Sequence, residues 1–175
     1  MSARERRRTG SVGFTLIEML VVLVIVGVLI AALTLAVGGS GARELENAAQ
    51  RSRSLIALAC ERAVISGRDI GFAPLRTGLR FGYYELDGWR ALPEGSSDEL
   101  RPRDWGAGVE PRAERDGDAL DLPDDAPDEP PFACLSSGEL TPLRLEFARA
   151  DVRDIWRLDG QLDGKLTLTA VPDAR

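Results

Sequence analysis

Hydrophobic and polar positions divide the chain into three regimes. From Phe14 to Val37 the run is apolar except at Thr15, Glu18, Gly27 and Thr34. A helix rises about 1.5 Å per residue, so some 20 such residues cross a hydrocarbon core, and the run predicts a transmembrane helix. Beyond "GGSG" (38–41), where glycine weakens a helix, apolar positions return at three- and four-residue steps: Leu45, Ala48, Ala49, Ser52, Leu55, Ile56, Ala59, Cys60 and Ala63. This small, alanine-rich stripe predicts an amphipathic helix docked on a sheet, closed by Gly67. From Asp69 onward the pattern turns to strands: "DIGFA", "LRFGYYEL" turning at Asp87-Gly88 into "WRAL", then "FACLSS", "LRLEFA" from Pro142, "VRDIWRL" and "KLTLTAV". Asp-Gly predicts a type I′ hairpin. The expected fold is α+β: a long N-terminal helix, half transmembrane and half amphipathic, packed on antiparallel sheet.

Between the strands, 96–131 breaks every pattern. It holds "ERDGDALDLPDDAPDEPP" and predicts a solvated acidic loop that folding does not need. Its Asp116, Asp118, Asp121, Asp124 and Asp125 offer hard oxygens for calcium, but without EF-hand spacing. No metal site and no cofactor is expected.

Composition narrows the chemistry. The 175 residues include no His and only two Cys, with 44% hydrophobic and 29% charged residues and a net charge of −6. Without His, Ser66, Ser97 and Ser137 have no imidazole base, so the chain reads as a non-enzyme. The acidic balance argues against a nucleic-acid partner. The flanks of the apolar run differ: Arg4, Arg6, Arg7 and Arg8 precede it, while Glu44 and Glu46 soon follow Arg43. The positive-inside rule places the N-terminus in the cytoplasm and everything after Val37 across the membrane. An ordinary secretory signal, cut near Ala31-Ala32 or Ala36, is the competing reading. On the trans side Cys60 and Cys134 can bridge or remain two buried thiols; the thiols are preferred, because spacing carries no geometry.

A carboxylate inside an apolar helix is costly and needs a partner. If the chain is cut between Gly13 and Phe14, the new amine and Glu18 share a helix face, within one chain or between neighbours. At about 4 Å and an effective dielectric near 20 the attraction is about 4 kcal/mol. Otherwise Glu18 reaches for the headgroups or enters uncharged.

These residues carry a resemblance. A basic leader, "G-F-T-L-I-E" and a continuous apolar helix resemble the class III signal of type IV pilins and type II secretion pseudopilins. The resemblance implies a leader at 1–13, prepilin-peptidase cleavage between Gly13 and Phe14, and N-methylation of Phe14. It gives Glu18 the role of the carboxylate that meets a neighbour's amine during assembly. Gly27 matches a glycine of these helices; Leu35 stands about where major pilins carry a proline. "ERAVISGRDIGF" and "CLSSGELTPLRLEF" look like the general secretion pathway protein H family of minor pseudopilins. The implied organisation is a transmembrane and assembly helix at 14–37, an amphipathic periplasmic helix at 38–66 and a periplasmic β domain at 67–175. The implied partners are the major and other minor pseudopilins, prepilin peptidase, the inner-membrane secretion platform and membrane lipid. The alternative is a type IV pilus minor pilin, similar to fimbrial protein T, acting in DNA uptake or pilus biogenesis.

Overall fold

The structure, a computed structural model, describes residues 15–37 and 40–173, with the side chains of 32–37 and 40 left out. Gly13 and Phe14 lie outside the described residues. The chain forms two compact units, Met1–Ser40 and Gly41–Arg175.

The first unit is built on one helix, α1 (Leu16–Val37). It is apolar all round, the pattern of a helix meant to be covered on every side. Thirteen large apolar side chains between Leu16 and Ile30 stand exposed, from 44% at Val26 to 86% at Leu16. Among the described residues no helix is long and apolar enough to cross a membrane. The described side chains of α1 stop at Ala31, however, while the helix itself continues to Val37.

The second unit opens with α2 (Ser40–Ser66). Its expected stripe is the buried one: Leu45, Ala48, Ala49, Ile56, Ala59 and Ala63 are at most 2% exposed. Ser52 is buried with them, its hydroxyl donating to the Ala48 carbonyl at 2.8 Å. Small side chains let the helix sit close to the sheets. Gly67 (φ 64°) ends α2, and the Arg68 amide returns to the Ala63 carbonyl at 3.3 Å, the Schellman closure. At the other end Gly41 lies within the helix. A Cβ there would meet the Asp151 carboxylate at 2.6 Å, the movable end of an exposed side chain, so a larger residue would displace that carboxylate.

Among the described residues ten strands form two antiparallel sheets. The first has the order β3-β2-β1-β7, from β1 (Ile70–Pro74), β2 (Gly78–Glu85), β3 (Gly88–Ala91) and β7 (Phe132–Cys134), with β4 (Arg103–Asp104) also on β2. The second has the order β10-β9-β8-β5-β6, from β5 (Glu110–Arg115), β6 (Asp118–Leu120), β8 (Leu143–Ala148), β9 (Asp154–Gly160) and β10 (Leu166–Pro172). Both contribute to one core with α2. Phe72 packs between Phe81 and Phe132, with ring centroids 5.7 and 5.5 Å away, and Trp105 meets Phe147 edge-on at 5.3 Å.

Segment 96–131 departs from its expected form. It contains β4, β5 and β6, and Leu100, Trp105, Val109, Ala113 and Leu122 are buried in the core. The acidic stretch is seated as well. The Arg76 amide donates to the Pro123 carbonyl at 3.0 Å, and Arg76 Nε to the Leu122 carbonyl at 2.8 Å. Pro130 lies so close over β1 that a Cβ on Gly71 would meet it at 2.5 Å. A few well-spaced apolar anchors hold a run whose mean composition reads as loop.

The turns also differ from expectation. Glu85 pairs with Gly88, so the β2–β3 loop is Leu86-Asp87, and neither has positive φ; only Gly88 does, at 123°. That excludes type I′, which needs two positive values. The type I′ turn lies instead at Asp116-Gly117 (φ 54° and 90°), joining β5 to β6.

Candidate assembly site

α1 begins at a built N-terminus. The Glu18 amide donates to Thr15 Oγ1 at 3.3 Å and to the Thr15 carbonyl at 3.1 Å. Thr15 is therefore the N-cap and Glu18 the third helical residue, in the T-x-x-E spacing of a capping box. A carboxylate there also faces the positive end of the helix dipole. Glu18 is exposed, among Leu16, Ile17, Met19 and Leu20, which are exposed too. Among the described residues no cation lies within ion-pair reach of it. This end of the molecule presents a single carboxylate on an otherwise apolar cylinder. The T-x-x-E spacing of this cap is legible in the sequence itself.

The second unit is closed by contacts that sequence alone left open. Cys60 of α2 and Cys134 of β7 are joined, with Sγ–Sγ 1.99 Å and Cα–Cα 4.8 Å. The preference for two free thiols is thus corrected. Cys60 lies on the helix stripe and Cys134 on the strand beneath it, a pairing that only three dimensions reveal.

Two arginines tie loops to α2. Arg149 donates to Glu44 (2.7 Å), Asp151 (2.6 Å) and the Ala107 carbonyl (2.6 Å). That guanidinium holds the Asp151 carboxyl below its ordinary range. Arg62 reaches Asp98 at 2.6 Å and Glu99 at 3.0 Å. Burial acts to raise Asp98, but the Leu100 amide and Arg62 outweigh it, and the carboxyl is held below its ordinary range.

No reaction centre emerges from these groups. Among the described residues no three His, Cys, Asp or Glu side chains converge as metal ligands. Asp121 and Asp124 of the acidic run lie 3.2 and 4.0 Å from Arg76.

Similarity to known proteins agrees with this geometry. The pattern of the prokaryotic N-terminal methylation motif matches residues 13–34, the stretch that contains Thr15 and Glu18. Type II secretion system protein H of Pseudomonas aeruginosa is 37% identical over 145 residues, spanning 78% of this chain and 82% of the relative. The protein of the same name from Aeromonas hydrophila is 38% identical over 76 residues, 43% of this chain and 42% of the relative. Among solved structures, the minor pseudopilin EpsH of the Vibrio cholerae type 2 secretion system superposes with a TM-score of 0.59 at 27% identity. That match covers 73% of this chain and 97% of EpsH. The solution structure of E. coli GspH, at 22% identity and a TM-score of 0.58, shares the fold. At 37% identity spanning 82% of the Pseudomonas relative, with the two-sheet fold of EpsH around α2, the chain belongs to the type II secretion system protein H family, the minor pseudopilins.

Proposed function

We propose that this pseudopilin is cut between Gly13 and Phe14, methylated on the Phe14 amine, and anchored in the inner membrane by α1. Its N-terminus is cytoplasmic and its Gly41–Arg175 unit periplasmic. The observation that carries this reading is the all-round exposure of α1's apolar side chains, relieved only by Glu18. The 22 residues of α1 extend about 33 Å, enough for a hydrocarbon core of about 30 Å. In the membrane, lipid covers the helix; in the pseudopilus, the helices of neighbouring subunits do. Glu18 then accepts the N-terminal amine of the next subunit, which sets the axial register. Prepilin peptidase acts first, and the secretion platform feeds the processed subunit into a pseudopilus that drives folded proteins through the outer membrane.

The pilus alternative draws no support from the surface. Losing the leader's four arginines and one glutamate takes the chain from −6 to −9, and Arg62, Arg76, Arg144, Arg149 and Arg157 are each paired with carboxylates. The net negative charge opposes capture of phosphate. Mass spectrometry of the protein from cells carrying the peptidase tests the proposal. The expected N-terminal peptide begins at methylated Phe14; a membrane-inserted product beginning at Met1 overturns it.

A further inference from the structure

The second sheet ends on β10, and this edge is unlike the others. Edge strands are commonly shielded by being short or by carrying charge. The other edges follow that rule: β6 has three residues including Asp118, β3 has four including Arg90, β7 has three and β4 two. β10 has seven, Leu-Thr-Leu-Thr-Ala-Val-Pro, none charged.

Its free hydrogen-bonding groups are identified by register. Gln161 donates to the Lys165 carbonyl and Asp173 to the Arg153 carbonyl, in step with the Leu166↔Gly160 to Pro172↔Asp154 pairing. Hydrogen-bonded pairs alternate along an antiparallel ladder, so Thr167, Thr169 and Val171 face β9. The N–H and C=O groups of Leu166, Leu168 and Ala170 therefore point out of the sheet. Pro172, which has no N–H, falls in this outward set, as an edge proline should. At the start of this edge lies a groove of about 520 Å³, lined by Arg53, Ser54, Ala57, Leu58 and Glu61 of α2 and, across from them, by Gly164 and Leu166. Neither of these two charges is paired among the described residues.

We propose that the β10 edge docks an extended segment of a neighbouring pseudopilin, which adds to the second sheet as a further antiparallel strand. This rests on the assembly reading above. Outward amides and carbonyls at every second residue ask for extended backbone. Ala57, Leu58 and Leu166 offer apolar contact to the side chain of the incoming strand that lies beside the start of β10. Arg53 and Glu61 are eight helical residues, about 12 Å, apart, which is close to four strand residues. The incoming segment thus carries an acidic and a basic residue about four positions apart, on one face. Edge-to-edge pairing of β10 with a second copy of this chain needs a twofold axis perpendicular to the sheet, which turns the two α2 helices antiparallel and sets like charges, not complementary ones, at equivalent places.

The test uses the full-length chain in cells with the complete secretion system. A photo-reactive residue at Thr169, and separately one at Val24 in α1, reports neighbours. The Thr169 probe is expected to capture one contiguous segment of another pseudopilin. Ala170→Pro, which deletes an outward N–H that β9 does not use, is expected to lower that adduct at least tenfold while the circular dichroism of the purified protein is unchanged. Should the proline variant unfold, Ala170→Asp, which keeps the N–H and adds a charge to the edge, is expected to give the same loss. No adduct at Thr169, an adduct to a second copy, or an adduct indifferent to the substitutions overturns the proposal. Val24 adducts that persist in those cases leave the assembly reading standing, and their loss in the unsubstituted chain removes it.

Discussion

Glu18 carries two physical roles that substitution can separate. As the third residue of a capped helix it favours the helix start, and glutamine serves nearly as well there. As the acceptor for a neighbour's amine it needs its charge. Glu18→Gln and Glu18→Ala are therefore both expected to insert normally and to lose most crosslinking to other pseudopilins in cells. Wild-type crosslinking in the glutamine variant, with loss in the alanine variant, would mean that capping is its whole contribution. Thr15→Ala removes the cap's hydroxyl and is expected to destabilise the start of α1 by about 1 kcal/mol. At the other end of the chain, Cys60–Cys134 closes a loop with a sequence separation of 74. In the chain-entropy account such a bridge contributes about 4 kcal/mol. Alkylation of the unreduced protein is expected to find no thiol, and reduction to lower the thermal midpoint by more than 10 °C; two alkylated cysteines before reduction would refute the bridge.

α2 and the loops pinned to it respond to pH in a defined direction. Asp98 and Asp151 have folded pKa values below those of the unfolded chain. Their contribution is complete above the unfolded carboxylate value of about 3.9 and is lost as pH falls through the lower folded values. The thermal midpoint is expected to be flat from neutral pH to about 5 and to drop below about 4. In Arg62→Ala the acid-induced drop is expected to be smaller, because Asp98 then loses one of the groups that lower it. A drop identical to wild type would show that Arg62 does not act on Asp98. The other element with a sharp expectation is the β5–β6 hairpin. Gly117 sits at φ 90°, so Gly117→Val should cost more than 1 kcal/mol in a melt, while an equivalent change on an ordinary exposed loop stays within about 0.5 kcal/mol.

The two sheets meet through residues of the acidic middle, so that segment is part of the fold. Replacing 114–130 with a Gly-Ser linker removes β6, the buried Leu122 and the Pro130 contact over Gly71. Loss of a buried leucine with its neighbours costs about 2–4 kcal/mol, against a loop-closure change of well under 1 kcal/mol. A melting curve that stays at the wild-type midpoint would show that the segment only decorates the surface.

What could be read from the sequence was what repeats along the chain. The Phe14–Val37 run, the 3.6-residue stripe from Leu45 to Ala63 and the alternation in β8 and β10 are statements about near neighbours, and local periodicity carries them. Glu18 stood out because a single charge in an apolar run is visible without any fold. What tertiary structure alone settled were relations between distant positions. Cys60 meets Cys134 because α2 lies across β7. Trp105, Leu100 and Leu122 became core because two sheets close over them, though their neighbours in sequence are charged, glycine or proline. The Asp116-Gly117 turn lies hidden within an acidic run, because averaged composition masks two residues whose backbone angles matter. The free edge of β10 follows from strand order, and strand order depends on which surfaces bury one another.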